Sequence, residues 1–137
     1  NKSESYDVIF LRDVMEHFNK IEVLDILGML HKALKKGGTL IIQTPNGTSP
    51  FSGRFRYYDF THENSFTENS LRQILLINNF SDLKFYETKP VAHGLKSFIR
   101  VILWNLLRLK LKLYLLIETG ISENVLTQNI IVIGHKK

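Results

Sequence analysis

At 137 residues, with 44% hydrophobic and 23% charged residues, the chain is long enough for one globular domain with its own core. It contains no cysteine, which excludes disulfides and thiolate zinc sites. The formal charge of +5 is local: Lys96, Arg100, Arg108, Lys110 and Lys112 lie between Gly94 and Ile117, a stretch without an acid, and the remainder is balanced. That distribution points to a surface partner at one place and argues against a nucleic-acid groove across the fold, so no nucleic-acid partner is expected. Asn1-Lys2-Ser3-Glu4-Ser5 is polar and shows no signal peptide. It reads as a cut end that runs directly into a strand, and nothing points to secretion, so a cytoplasmic location is expected.

Tyr6 to Leu11 is an apolar run of strand length, of the kind covered on both faces in a parallel sheet. Asp13 to Phe18 predicts a short helical turn. Asn19 with Glu22 three residues on forms a capping-box pattern, and Leu24, Leu27, Leu30 and Leu34 follow at helical spacing. Lys35, Lys36, Gly37 and Gly38 read as the end of that helix. Thr39 to Thr44 is a second buried-type strand, so strand, helix and strand make a βαβ unit. Residues 45 to 66 read as one long loop, and a loop of that length in a compact domain is usually functional. Thr67 caps a helix reaching about Asn78, Leu83 to Thr88 is a third strand, and Asn129 to His135 a fourth. Gly94 to Ile117 predicts a long helix.

Several of these stretches together resemble the C-terminal half of a class I S-adenosylmethionine-dependent methyltransferase. The carrying residues are Tyr6-Asp7-Val8-Ile9, then Asp13-Val14-Met15-Glu16-His17, then Leu34-Lys35-Lys36-Gly37-Gly38-Thr39-Leu40-Ile41-Ile42 and Thr44-Pro45-Asn46. His62, Phe66-Thr67-Glu68-Asn69-Ser70-Leu71 and Asn79-Phe80 complete them. The branch most resembled is that of the ubiquinone-biosynthesis O-methyltransferases and the bacterial sugar and small-molecule methyltransferases. The resemblance implies an α/β, doubly wound, Rossmann-like sheet of which residues 1–137 supply strands four to seven, the last antiparallel. It also implies a cofactor-binding half that these residues lack: there is no strand leading into Gly-x-Gly-x-Gly, and no acid closing a second strand. This chain alone is therefore expected to be inactive and to bind the cofactor poorly.

By the same resemblance, Leu11, Arg12 and Asp13 would border S-adenosylmethionine, and Asp13, Glu16 and His17 would face the acceptor. His17 is the first candidate base because imidazole titrates near neutrality, and His62 is the second. If Asp13, Glu16 and His17 share a helical face, they form with His62 a donor set suited to a divalent ion such as Mg²⁺ or Zn²⁺. The alternative for Glu16-His17 is structural, closing a helix start after the strand. Arg54, Arg56, Tyr57, Tyr58 and His62 lie where the family places its acceptor lid, the arginines suited to an anionic group and the tyrosines to covering a substrate.

On the helix expected at residues 94–117, Leu95, Phe98, Ile99, Ile102, Leu106, Leu109, Leu113, Leu116 and Ile117 share one broad face, with the cations mostly opposite and Trp104 near them. Such a helix fits a membrane surface, a cover on the sheet, or a second subunit in a homodimer. The expected function is methyl transfer to an oxygen of a small-molecule or lipid-linked acceptor, in the cytoplasm or peripherally on the inner face of the membrane. The rival readings are a non-catalytic membrane- or protein-interaction module with half a methyltransferase fold, and another doubly wound nucleotide-binding enzyme.

Overall fold

A computed structural model describes residues 4–137; Asn1, Lys2 and Ser3, which open the expected cut end, lie outside the described residues. The elements are β1 (Tyr6–Arg12), a 3₁₀ turn (Met15–His17), α1 (Lys20–Ala33), β2 (Leu34–Pro45), α2 (Ser52–Arg56), α3 (Glu68–Ile77), β3 (Phe80–Glu87), α4 (Leu95–Thr119) and β4 (Asn129–Lys136). The four strands form one sheet in the order β1-β2-β4-β3. β1 and β2 run parallel, joined through α1, and β4 is antiparallel to both β2 and β3. This is the partial Rossmann-like methyltransferase sheet expected, with its last strand reversed.

Pleating decides which side chains meet. Leu11 of β1, Leu40 and Ile42 of β2, and Ile130 and Val132 of β4 share one face and are buried there with Val23 and Leu27 of α1 and Leu71 and Leu75 of α3. Val8 and Phe10 turn to the other face, where they are 55% and 56% exposed. The strands were expected to be covered on both faces. Only the α1/α3 face is closed among the described residues, because both helices pack on that side and the outer edge of β1 is unpaired.

The caps form as the sequence predicts. The Asn19 side chain accepts from the backbone N–H groups of Ile21 and Glu22, and Glu22 returns a bond to the Asn19 N–H. Thr67 and Ser70 cap α3 in the same manner. The exit from α1 differs from expectation. The helix stops at Ala33, and Leu34 opens β2 as a fully buried residue, so Lys35 to Gly38 belong to the strand. Lys35 pairs with Asp7 on β1, at 2.8 Å. Gly37 takes a φ of +73° there, and a Cβ on Gly38 would stand 2.8 Å from the Lys35 carbonyl oxygen. The glycines thus set the bend at the foot of β2. Likewise the long loop contains α2, and β3 starts three residues earlier than its apolar run suggested, at Phe80, which is completely buried.

Gly38→Ala is expected to destabilise the fold by about 1–3 kcal/mol, because the clash is with backbone. Gly53→Ala, at a helical position with open space around it, should be neutral or slightly stabilising. Urea midpoints of the two variants measure the difference; equal midpoints would contradict the packing described here.

Candidate functional site

The site is built where β1 ends. Asp13 has a φ of +52°, a left-handed conformation that Asp tolerates better than most residues. Its N–H donates to the Gln43 carbonyl at 2.9 Å, and its carboxylate receives the Gln43 Nε2 at 3.2 Å. The reversal turns the chain out of β1 into the 3₁₀ turn that carries Glu16 and His17. Glu16 is 1% exposed, and Thr44 Oγ1 donates to its Oε2 at 3.2 Å. Its backbone carbonyl accepts from Glu63 and Asn64 N–H at 2.8 and 3.0 Å, which draws the loop after β2 across the end of β1. Burial pushes the Glu16 carboxyl above the usual carboxylate range, against the opposing effect of its backbone and Thr44 hydrogen bonds.

The loop brings His62 to His17, with ring centroids 4.8 Å apart and planes at 69°. Both rings are oriented by hydrogen bonds at Nδ1. His62 Nδ1 lies 2.9 Å from the Phe55 carbonyl oxygen, which can only accept, so the proton is on Nδ1. His17 Nδ1 lies 2.9 Å from Thr61 Oγ1, and that hydroxyl is 2.7 Å from Asp59 Oδ1. The backbone N–H and hydroxyl of Thr61 hold the Asp59 carboxyl below its ordinary range, so it is ionised and takes the hydroxyl proton. Thr61 Oγ1 then accepts from His17 Nδ1–H. In the neutral form of each ring, Nε2 is then the accepting position.

One ligand atom each from Glu16, His17 and His62 falls within 4.8 Å of the others. This corrects the expected donor set: Asp13 is not part of the cluster. It precedes the 3₁₀ turn instead of sharing a helical face with Glu16 and His17, and its carboxylate faces Gln43. A carboxylate and two imidazole lone pairs form a donor set that could hold a borderline divalent ion.

The other expected site residues divide. Leu11 is packed in the core, so only its backbone could border a cofactor; Arg12 is exposed and 3.5 Å from the Asp13 carboxylate. The described residues contain no glycine-rich loop that could form the opposite wall of such a site. Arg56 is committed to the Glu63 carbonyl, while Arg54 is exposed. Tyr57 and Tyr58 are 81% and 84% exposed and do not cover the histidines. Sequence reasoning missed Thr44, Asp59 and Thr61. The Asp59-Phe60-Thr61 spacing, which allows an Asp side chain to bond the N–H two residues on, was the available signal.

Because the Glu16 pKa is raised on folding, the folded state holds its proton more tightly than the unfolded chain. Stability from this group is full below the unfolded pKa and falls as pH rises toward the folded pKa. Glu16→Gln, which keeps an oxygen for Thr44, should therefore raise the melting temperature at pH ~7 and flatten its decline above pH ~4.5. Thermal melts across that range test the sign.

Residues 1–84 match the sequence profile of a family described as "Methyltransferase domain". No curated protein matches the chain. Among solved structures, the chain is similar to a SAM-dependent methyltransferase from Archaeoglobus fulgidus, with 20% identity and a TM-score of 0.66 over 98% of this chain and 61% of that one. A SAM-dependent methyltransferase from Thermotoga maritima gives 16% identity and a TM-score of 0.66 over 99% and 58%. Phosphoethanolamine N-methyltransferase 2 of Haemonchus contortus, solved in complex with S-adenosyl-L-methionine, gives 17% and 0.58 over 98% and 34%. The chain thus spans about three fifths of the length of the first two. With the profile covering more than half of its residues, the chain belongs to the methyltransferase domain family, of the class I S-adenosylmethionine-dependent type.

Proposed function

We propose that the protein transfers a methyl group from S-adenosylmethionine to a hydroxyl oxygen of a small-molecule or lipid-linked acceptor. One observation supports a base-assisted transfer of this kind: the His17 and His62 rings meet at the end of β1, each held through Nδ1 so that Nε2 is the accepting position. A hydroxyl must lose a proton as its oxygen is methylated, and a positioned imidazole supplies that base.

When bound, S-adenosylmethionine supplies an electrophilic methyl group. The backbone of Leu11 and Arg12 and the side chain of Asp13 border it from the end of β1. His17 Nε2 removes the acceptor's hydroxyl proton, and Thr61, backed by the Asp59 carboxylate, holds the Nδ1 proton and stabilises the imidazolium. His62 Nε2 orients the acceptor. Glu16 is a positioning residue that seats both the 3₁₀ turn and the loop. Arg54 is the cation free to meet an anionic group on the acceptor, whereas Arg56 secures the loop and Tyr57 and Tyr58 would have to move to cover a substrate.

A cleft of about 360 Å³ lies between α4, the loop after β2 and the segment entering β4, lined in part by Phe51, Arg100, Trp104 and Leu107; neither histidine lines it, so it offers room for a part of the acceptor remote from the reacting hydroxyl. The Trp104 indole N–H is buried there without a hydrogen-bond partner among the described residues, and a second polar atom of the acceptor would satisfy it. The same reading places the protein in the cytoplasm, meeting its acceptor at the inner face of a membrane.

The test uses the full-length protein. Titration with S-adenosylmethionine should release heat, and its absence at millimolar cofactor would sink the enzyme reading. His17→Ala should lower kcat about 10²–10⁴-fold, the range of a general base, while leaving that heat unchanged. A second reading is favoured by the Glu16, His17 and His62 cluster: a divalent ion, Mg²⁺ or Zn²⁺, held by these three would lower the acceptor's pKa. On that reading a chelator abolishes activity and either added ion restores it; full activity in excess chelator ends it.

A further inference from the structure

The α4 helix exposes an apolar face. The residues it half-buries recur at helical spacing and are mixed in character: Val101, Trp104, Leu111 and Leu115 lie there beside Arg108 and Lys112. Arg108 pairs with Glu87 of β3 at 2.9 Å and donates to the Asn124 carbonyl, while Lys112 donates to the Asn124 side chain at 3.3 Å. The opposite face carries Leu95, Ile99, Ile102, Leu106, Leu109 and Leu113, exposed by 45–76%, and no residue of the helix is buried. A helix whose outer side faces water carries polar residues there, and an apolar outer face of this extent marks an interaction site.

We propose that α4 is an interfacial anchor, its outward apolar face lying in the headgroup–acyl boundary of an anionic bilayer. This goes beyond methyl transfer and does not rest on it.

Charge selects the occupant. Lys96, Arg100 and Lys110 are exposed and make no ion pair among the described residues, and Leu95 to Ile117 contains no acid. A second copy laid face to face would bring these like charges together, whereas anionic headgroups complement them. The face is aliphatic along almost its whole length, about 37 Å for 25 residues. The cations also decide between lying on and crossing: no helix among the described residues is long and apolar enough to span a membrane. The inward Arg108–Glu87 pair fixes the roll of the helix, so the apolar side stays outward.

The experiment is co-sedimentation of the full-length protein, without cofactor, with vesicles of phosphatidylcholine alone or mixed with phosphatidylglycerol. Binding is expected to the mixed vesicles, little to phosphatidylcholine alone, and less as salt rises. Leu106→Asp/Leu109→Asp should weaken it by about tenfold or more, and Lys96→Glu/Lys110→Glu should do so at low salt. Both variants should keep the wild-type melting temperature and the heat of S-adenosylmethionine binding, because their side chains contact nothing that holds the fold. Equal recovery in the supernatant with and without anionic vesicles overturns the proposal, as does binding unchanged by both variants. So does a vesicle-free dimer, seen by sedimentation velocity, that Leu106→Asp/Leu109→Asp dissociates, since the face then belongs to a second copy. Absence of vesicle binding by the unsubstituted protein, with the cofactor heat present, refutes the anchor and leaves the methyltransferase reading standing.

Discussion

The buried Glu16 is the constraint on which the site depends. Its carboxyl is taken from water and receives the Thr44 hydroxyl of β2, while its backbone carbonyl gathers two N–H groups of the following loop. One residue therefore ties the end of β1, the end of β2 and the loop that carries His62. Burying a carboxyl is costly unless it is hydrogen-bonded or protonated; here the Thr44 hydroxyl bonds it, and burial raises its pKa. The two histidines meet because Glu16 fixes both of their supports.

Much of this architecture was legible in the residues themselves. The apolar runs of β2 and β4, the capping residues Asn19 and Thr67, and the order of elements all act locally, so sequence carries them directly. The acids and histidine after β1 were also visible as a cluster. Less visible was the direction of each side chain. Asp13 and Glu16 look equivalent as text, yet a left-handed φ at Asp13 sends its carboxylate to Gln43, away from the imidazoles. Thr61 gains its role only through a contact 44 residues distant in sequence, which no local pattern encodes. The end of α1 was misread because Leu34 continues the helical spacing of leucines, while the glycines that follow it serve the bend into β2.

The helix α4 illustrates a different limit. Its spacing of leucines and cations specifies an amphipathic helix but not which side faces the domain. Normally burial of apolar surface decides that. Here polar contacts add to it: the partly buried Arg108–Glu87 pair and the bonds to Asn124 hold inward the side that also carries Trp104 and Leu111. Glu87 also accepts from the Leu126 N–H, so its carboxylate serves the helix and the segment returning from it at once.

That returning segment meets the histidine loop at Asn46. The Asn46 amide donates to the carbonyls of Val125 and Thr127 at 2.9 and 3.0 Å, and its oxygen accepts from the Thr48 N–H, all at a residue 1% exposed. The first residues beyond β2 and the last before β4 are thereby one rigid corner. Arg108 and Lys112 grip the same corner through Asn124. The tilt of α4 and the departure angle of the loop are in this way geared to each other through a single side-chain amide, as two hands of a clock share one arbor.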